Sequence, residues 1–167
     1  MDKLTIVSIN IRGLRDKKKR CTLIQWLRRK KFDIVCLQET FITTEILSDI
    51  EKDFHDLGAY FSSCSDSAHS RGVGILLSKK IGNWNVDSVH RDVEGRKILL
   101  NIRNLNNELI SITSLYVPNN LNLRIQFISE CNDWLQSHAS EIHKTVIVGD
   151  FNTCYIESDR ASGKVDK

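Results

Sequence analysis

The sequence predicts an α/β domain in which two mixed β-sheets are covered by helices. Three observations lead to this prediction. Short β-branched runs at residues 4–10 and 33–38 flank an amphipathic segment at residues 17–31, which is a strand–helix–strand pattern. The apolar period changes to two between residues 59 and 117. The chain has 167 residues, 41% of them hydrophobic and 27% charged, as is usual for one globular domain.

The first three elements form a crossover unit. Residues 4–10 are predicted to form a short apolar strand that ends before Gly13. Residues 17–31 are predicted to form a basic helix whose charged runs, residues 17–20 and 28–31, face water. Its inward stripe contains Cys21, Leu23, Ile24, Trp26 and Leu27. Because residues 33–38 are apolar between polar ends, we expect a buried strand parallel to the first.

A second helix and five further strands follow. We expect a helix over residues 44–57 that ends just before Gly58. Its inward face contains Ile46, Leu47, Ile50, Phe54 and Leu57. Alternating apolar residues then predict antiparallel strands at residues 59–63, 72–78, 84–90, 96–103 and 108–117.

One more helix and strand complete the pattern. A helix is predicted over residues 122–137, with Ile125, Ile128, Cys131 and Leu135 facing inward. Residues 145–148 then form a final buried strand, and the polar segment 149–152 leaves its C-terminal end.

Composition excludes several classes of protein. Eight glycines, one proline and no repeated block exclude collagen-like, solenoid and largely disordered chains. No apolar run is long enough to cross a membrane, and the N-terminus does not have the pattern of a signal peptide. We therefore expect an intracellular protein, nuclear or cytoplasmic, with no membrane partner. Five cysteines without a C-x-x-C pair, and histidines without zinc spacing, favour oxygen ligands for any metal.

Positive charge is concentrated at the N-terminus. Residues 1–31 contain eleven basic and two acidic groups, a net charge of +9, whereas residues 32–167 contain thirteen and nineteen, a net charge of −6. Such a segment is either a solvated helix face or a surface that attracts a polyanion. The charge by itself leaves both interpretations open.

Polar side chains follow the predicted strands at their C-terminal ends: Asn10, Glu39, Tyr116, Asp150 and Asn152. Each has an ordinary alternative role, as a turn residue, a solvated acid or an aromatic residue at the edge of the core. Sites in α/β sheets form at the carboxyl ends of strands, so their shared position favours a functional site.

Five blocks of sequence occur in one order: Ser8-Ile9-Asn10-Ile11-Arg12-Gly13-Leu14, Gln38-Glu39-Thr40, Arg71-Gly72-Val73-Gly74-Ile75-Leu76, Tyr116-Val117-Pro118-Asn119 and Gly149-Asp150-Phe151-Asn152-Thr153. Together they resemble the endonuclease/exonuclease/phosphatase superfamily, whose members are similar to DNase I and the apurinic endonucleases. The five blocks are most similar to those of LINE-type non-LTR retrotransposon endonuclease domains, as Ser158-Asp159-Arg160 also indicates. This resemblance covers nearly the whole chain and implies a four-layer α/β sandwich of the DNase I-like kind.

The resemblance also implies roles for the residues at the strand ends. Glu39 resembles the carboxylate that holds a divalent cation, usually Mg²⁺ with Mn²⁺ as the alternative, and Asn10 orients the metal or the phosphate. Asp150 is similar to the residue that orients or deprotonates the attacking water. Asn152 and Tyr116 resemble hydrogen-bond donors to the scissile phosphate. Such groups suit the reaction, because an anionic phosphodiester needs charge neutralisation and an activated water.

DNA is the partner that the resemblance and the basic N-terminal segment imply. The residues expected to contact it are Arg12, Lys17, Lys18, Lys19, Arg71 and Asn119. A further implied partner is the rest of a retrotransposon polyprotein that contains a reverse transcriptase.

One departure from the family pattern is large. The pattern continues to a C-terminal Ser-Asp-His motif, whereas all histidines of this chain precede Asp150. We therefore expect residues 1–167 to form one incomplete domain that lacks its last strands, with an open edge beside residues 145–148. Its function would be Mg²⁺-dependent nicking of DNA, impaired by the loss of that motif. The alternatives are a catalytically silent nucleic-acid-binding or vestigial fragment, and a phosphatase of the same superfamily.

Overall fold

Two four-stranded β-sheets pack face to face, with helices on both outer faces, in the computed structural model of this chain. The structure describes residues 3–30, 32–64, 70–81 and 84–154. The predicted α/β class with two mixed sheets and flanking helices is confirmed. Ser158-Asp159-Arg160 lies outside the described residues.

The first sheet contains four strands: β1 (Ile6–Asn10), β2 (Ile34–Gln38), β3 (Leu57–Ser62) and β4 (Val73–Ser78). Their order is β1-β2-β4-β3. Strand β1 runs parallel to β2 and is joined to it by helix α1 (Lys17–Arg29), which confirms the predicted crossover. All residues of β2 are buried, as expected for a central strand between two packed layers.

The second sheet contains four strands in chain order: β5 (Trp84–Arg91), β6 (Lys97–Asn104), β7 (Leu109–Tyr116) and β8 (Thr145–Asp150). The first three are antiparallel, and β8 is parallel to β7. Among the described residues, strand β8 is therefore at an edge of this sheet. Val146 and Ile147 are 38% and 41% exposed, so the prediction of a buried final strand is wrong. Sheet order, which local hydrophobicity does not encode, decides this exposure.

The main core lies between the sheets. Ile34, Cys36 and Ile75 of the first sheet pack against Ile98 and Ile112 of the second. Burial raises the pKa of the Cys36 thiol to about 12, so this cysteine is a small apolar core residue.

Helix α1 packs on the outer face of the first sheet through Leu23, Ile24 and Leu27. Two side chains differ from the prediction, because Cys21 is exposed and Arg20 is buried. The Arg20 guanidinium forms an ion pair with Asp53 at 2.7 Å, which offsets the cost of its burial.

The second helix is shorter than predicted. A 3₁₀ turn at Thr44–Ile46 leads into α2 (Leu47–Asp53), and Leu57 already begins β3. Gly58 lies inside β3, opposite Leu77, and does not cap a helix. Pairing with β4 overrides the helical spacing of the apolar residues, because most helical stability comes from tertiary packing.

Helix α3 (Leu121–His138) covers the outer face of the second sheet with Phe127, Cys131 and Leu135. Its rotation differs from the prediction, since Ile125 and Ile128 are 63% and 55% exposed.

Arg124 explains this rotation. Its buried side chain donates to the carbonyls of Pro118 at 3.3 Å and Asn119 at 2.9 Å. The loop that enters α3 is thereby fastened to the inward face of the helix, a contact that apolar periodicity does not encode.

The other predicted strands and this helix begin and end within two residues of their observed bounds. In the described ranges, no helix is both long and apolar enough to span a membrane.

Candidate active site

The strand ends of both sheets meet at one edge of the sandwich. Asn10, Gln38, Tyr116 and Asp150 are the last residues of β1, β2, β7 and β8, and Glu39 follows directly after β2. These strands run in a common direction across the two sheets, so their C-terminal residues collect together. The residues that the sequence singled out at strand ends are therefore neighbours in the structure.

Asn10 and Asp150 form the centre of this edge. The Asn10 Nδ2 atom donates to Asp150 Oδ2 at 2.8 Å, across 140 residues of chain. The other carboxylate oxygen, Oδ1, accepts from the backbone N–H of Asn152 at 3.0 Å. Asn10 Oδ1 accepts from the backbone N–H of Arg12 at 3.2 Å, so the amide is oriented on both sides. The Asp150 carboxylate is consequently held in one orientation.

Tyr116 lies between the acids of the two sheets. Burial, the hydrogen bond and charge of Glu39, and the charge of Asp150 raise the pKa of Tyr116, while a hydrogen bond with Asn152 lowers it. The raising effects prevail, so the Tyr116 hydroxyl keeps its proton at neutral pH and can donate it in a hydrogen bond. Asn152 is anchored beside it, because its Nδ2 atom donates to the Val117 carbonyl at 2.7 Å.

Arg96 belongs to this edge, although sequence analysis did not identify it. Its Nη1 atom donates to the Tyr116 carbonyl at 3.2 Å, and its guanidinium lies 5.4 Å from the centre of the Tyr116 ring. Burial and the positive charge of Arg71 lower the pKa of Arg96. Arg71 therefore lies near Arg96, which also forms an ion pair with Glu94 at 3.4 Å. The available signal was position, because Arg96 directly precedes β6, the antiparallel neighbour of β7.

Gln38 is a second residue that sequence analysis assigned no role. Its side chain is buried and donates through Nε2 to Ser114 Oγ at 2.9 Å in the opposite sheet. Its Oε1 accepts from Ser8 Oγ at 3.2 Å. Gln38 thus links three strands directly beneath Glu39.

Left-handed backbone is concentrated in the loops at this edge. Five non-glycine residues there have positive φ: Arg12 at 49°, Glu39 at 52°, Phe41 at 57°, Arg71 at 65° and Asn152 at 49°. Such conformations are costly for residues with a Cβ atom and are common at functional sites. Backbone hydrogen bonds from Thr40 and Phe41 to the carbonyls of Gly72 and Arg71 support two of these loops.

An open cleft of about 800 Å³ lies at this edge, lined by Asn10, Asn119, Asp150 and Asn152 among others. Of the residues expected to contact DNA, Arg12, Lys17, Lys18 and Asn119 are exposed and Arg71 is partly exposed.

Lys19 is placed differently from these residues. It is partly buried, and its ammonium group donates to the carbonyls of Ile11 and Arg12. A second cavity of about 450 Å³, lined by Leu27, Phe32 and Leu76 among others, contains none of the site residues.

The donor set fits a hard divalent cation. Among the residues that the structure describes, no three His, Cys, Asp or Glu side chains are grouped to hold a metal. Mg²⁺ requires less, because it binds through one or two carboxylates and keeps several waters. Glu39 and Asp150 supply carboxylates here. Both Asp150 oxygens accept hydrogen bonds and Glu39 is hydrogen-bonded to Tyr116, and each carboxylate keeps further lone pairs for a cation.

Neither histidine near the final strand reaches this edge. His138 packs against His90 and Trp134, with ring centres 4.6 and 5.0 Å apart. His143 precedes β8 and pairs with Glu141 at 3.0 Å. Neither histidine is among the residues that line the cleft.

This α/β fold brings carboxylate, amide and phenol side chains together at its strand ends. Residues 7–165 match the Endonuclease/Exonuclease/phosphatase family, and the chain belongs to this family.

Three similar proteins show how far the likeness extends. An exodeoxyribonuclease of Bacillus subtilis (strain 168) is 23% identical over 171 residues, which cover 98% of this chain and 64% of the relative. The structure of an AP endonuclease from Archaeoglobus fulgidus superposes with a TM-score of 0.66 at 24% identity, covering 90% of this chain and 58% of that one. A variant of the 3′ phosphatase NExo from Neisseria, bound to a product DNA hairpin, superposes with a TM-score of 0.64 at 15% identity, with coverage of 90% and 58%. The chain thus spans less than two thirds of the length of these proteins.

Proposed function

We propose that this chain carries the phosphodiester-hydrolysing site of a metal-dependent DNA nuclease. The observation that carries the proposal is the bond of 2.8 Å from Asn10 to Asp150, which unites the strand ends of the two sheets next to Glu39 and Tyr116. A fixed carboxylate, a second carboxylate and a protonated phenol at one edge are the groups that phosphodiester hydrolysis needs.

Asp150 serves as the residue that orients and deprotonates water. Asn10 and the Asn152 backbone each occupy one site on its carboxylate oxygens, and each oxygen can accept a further hydrogen bond. A water bound there gives its proton to Asp150 as its oxygen bonds to phosphorus and the bond from phosphorus to the leaving oxygen breaks.

Glu39 is the residue that would hold the metal, with the Asn10 amide beside it. Mg²⁺, or Mn²⁺ as the alternative, would supply charge neutralisation at the phosphate when bound. The left-handed backbone of Glu39 and the bonds of Gln38 to the opposite sheet keep this carboxylate at the edge.

Tyr116, Asn152, Arg71 and Arg96 form the side of the site that receives the phosphate. The Tyr116 hydroxyl keeps its proton at neutral pH and is hydrogen-bonded to Glu39 and Asn152, and a bound phosphate would take the place of these partners. Arg96 already forms an ion pair with Glu94 at 3.4 Å, and a phosphate would be a further anion near its guanidinium and that of Arg71. These residues stabilise negative charge on the phosphate oxygens.

DNA is the favoured substrate. Charge supports it, since Arg12, Lys17 and Lys18, which follow β1 in the chain, are exposed. The names of the similar proteins support it as well, because an exodeoxyribonuclease, an AP endonuclease and a phosphatase bound to a DNA hairpin are among them.

Plasmid nicking tests this function. The chain is assayed alone and as a chimera in which residues 1–154 are followed by the C-terminal part of the Bacillus subtilis exodeoxyribonuclease, of which the match covers 64%. We expect the chimera to convert supercoiled plasmid to nicked circles with Mg²⁺ and to stop on addition of EDTA. Mg²⁺-independent nicking, or none in a folded chimera, would contradict the proposal.

Two alternatives are outcomes of the same experiments. Release of phosphate from 3′-phosphorylated DNA without nicking would assign a phosphatase, the activity named for the Neisseria neighbour. Salt-dependent DNA binding without hydrolysis of either substrate would assign a catalytically silent binding fragment. Retrotransposon origin rests on the sequence motifs alone, and a reverse transcriptase encoded in the same reading frame would support it.

A further inference from the structure

The basic run of residues 17–20 divides into two pairs with different surroundings. Lys17 and Lys18 are exposed, whereas Lys19 is partly buried and Arg20 is buried. Lys19 and Arg20 both turn back towards the loop of residues 11–15, which connects β1 to α1. The sequence predicted that residues 17–20 all face water and that Lys17, Lys18 and Lys19 contact DNA, whereas the structure shows two kinds of basic residue.

Lys19 and Arg20 together bind four carbonyl groups of this loop. Lys19 Nζ donates to the carbonyls of Ile11 at 2.6 Å and Arg12 at 2.9 Å. Arg20 Nη1 donates to the carbonyls of Leu14 and Arg15, each at 2.7 Å. Such donors are needed because the left-handed backbone at Arg12 leaves the loop without regular strand or helix pairing.

The loop held in this way is bonded directly to the site. The backbone N–H of Arg12 donates to Asn10 Oδ1, and Asn10 donates in turn to Asp150. The N–H groups of Gly13 and Leu14 donate to the carbonyls of Glu39 at 2.6 Å and Thr40 at 2.7 Å. Any displacement of this loop therefore moves both Asn10 and the backbone of Glu39.

Arg20 is further fixed from the other side. Its Nε atom pairs with Asp53 Oδ2 at 2.7 Å, which joins the loop to helix α2. The buried guanidinium is bonded to a carboxylate and two carbonyls. Breaking these bonds to reach an exposed phosphate would leave a charged partner without its counter-ion, which is costly.

We propose that Lys19 and Arg20 are positioning residues, which hold the loop of residues 11–15 so that Asn10 and Glu39 keep their places at the strand ends. They act through backbone carbonyls and do not contact DNA. The catalytic consequence of this arrangement rests on the proposed function, whereas the effect on the loop does not.

Hydrogen exchange at the amides of Gly13 and Leu14 tests the proposal without any need for activity. Lys19→Met removes the donor and the charge, Lys18→Met removes the same charge from an exposed position, and Lys19→Arg restores a donor. We expect exchange at both amides to accelerate at least ~10-fold in Lys19→Met, through local opening of the loop. Exchange should keep its wild-type rate in Lys18→Met and return towards it in Lys19→Arg. The amides of Leu23 and Ile24 report whether α1 stays folded.

DNA binding and turnover supply a second, independent comparison. Lys18→Met should reduce the slope of log affinity against log salt by about 0.9, as expected for one lost phosphate contact. Lys19→Met should keep the wild-type slope and, in the nicking chimera, lower kcat while KM stays unchanged. An inactive wild-type chimera would contradict the proposed function and leave the exchange experiment decisive for this proposal.

Two results would overturn the proposal. One is wild-type exchange protection at both amides in Lys19→Met. The other is a salt slope in Lys19→Met reduced as much as in Lys18→Met, since Lys19 would then be a phosphate contact.

Discussion

Asn10 and Asp150 are joined by a hydrogen bond of 2.8 Å between the last residue of β1 in one sheet and the last residue of β8 in the other. This bond ties together segments that lie 140 residues apart in the chain. Each side chain is also held by a backbone N–H group, that of Arg12 on Asn10 and that of Asn152 on Asp150. The arrangement therefore depends on the correct packing of both sheets.

Loss of either carboxylate should abolish most of the nicking. Glu39→Ala removes the proposed metal ligand and Asp150→Ala the proposed base, so each should lower the rate of the chimera at least ~100-fold. Asp133→Ala removes an exposed acid of α3 and serves as the control. Rates are measured from the conversion of supercoiled plasmid in Mg²⁺. Full activity in either site variant would remove its assignment.

Arg96 should bind the phosphate group. Arg96→Met removes the guanidinium beside Tyr116, and we expect ~10-fold weaker inhibition of nicking by inorganic phosphate. Arg103→Met is the matched control, because Arg103 lies on the strand that Arg96 precedes and pairs with Asp87 at 3.1 Å. Equal inhibition constants in wild type and Arg96→Met would show that Arg96 only supports Tyr116.

Salt dependence should follow the exposed lysines. Binding of the chain to duplex DNA is expected to weaken steeply with salt and to show little sequence preference, as counterion release requires. Charge reversal by Lys17→Glu and Lys18→Glu together should flatten this slope. Charge reversal by Lys144→Glu should leave the slope unchanged, because Lys144 lies near the start of β8 and not at the C-terminal strand ends. Fluorescence anisotropy over a salt series measures the affinity of the wild type and of each variant. Salt-independent binding would contradict the electrostatic account.

Tyr116 should make folding stability fall at alkaline pH. Its pKa is raised in the folded protein, so above pH about 10 the unfolded chain loses this proton first and is stabilised relative to the folded state. The contribution is fully present below that pH and is lost as pH rises through the folded pKa. Urea unfolding at pH 9 and pH 11 should show a smaller loss of stability in Tyr116→Phe than in wild type. An equal loss in both proteins would show that Tyr116 is not the responsible group.

The edge strand β8 should promote association between chains. Its Val146 and Ile147 are partly exposed, as are Ile125 and Ile128 on α3, and unpaired strand edges recruit other strands. We expect the purified chain to self-associate and to bind a hydrophobic dye. Val146→Lys with Ile147→Lys should shift the size-exclusion profile towards monomer, whereas Val93→Lys, in an exposed turn, should not. A monodisperse wild-type monomer would contradict this prediction.

Local patterns in the sequence were enough to predict the class of fold and the polar residues that meet at one edge of it. Apolar periodicity is a local property, so the strands, the crossover through α1 and the polar residues after each strand could be identified from short segments. Asn10, Glu39, Tyr116 and Asp150 were recognisable because each directly follows or ends a strand whose direction places it at one edge.

Contacts that form only in the folded protein determine which partner each side chain faces. Leu57 has helical spacing from Phe54 but joins β3, because β4 offers it a strand partner. Arg124 turns inward because the carbonyls of Pro118 and Asn119 need donors, and the rotation of α3 follows from it.

Contacts in the folded protein also divide the basic residues into those exposed at the surface and those that hold a loop in place. Lys18 and Lys19 are alike in sequence, but only Lys19 lies within reach of the carbonyls of Ile11 and Arg12. Arg96 meets Tyr116 only because β6 pairs with β7. These roles depend on hydrogen-bond donors and acceptors that pair with each other only in the folded protein. No local pattern of hydrophobicity or charge encodes such pairs.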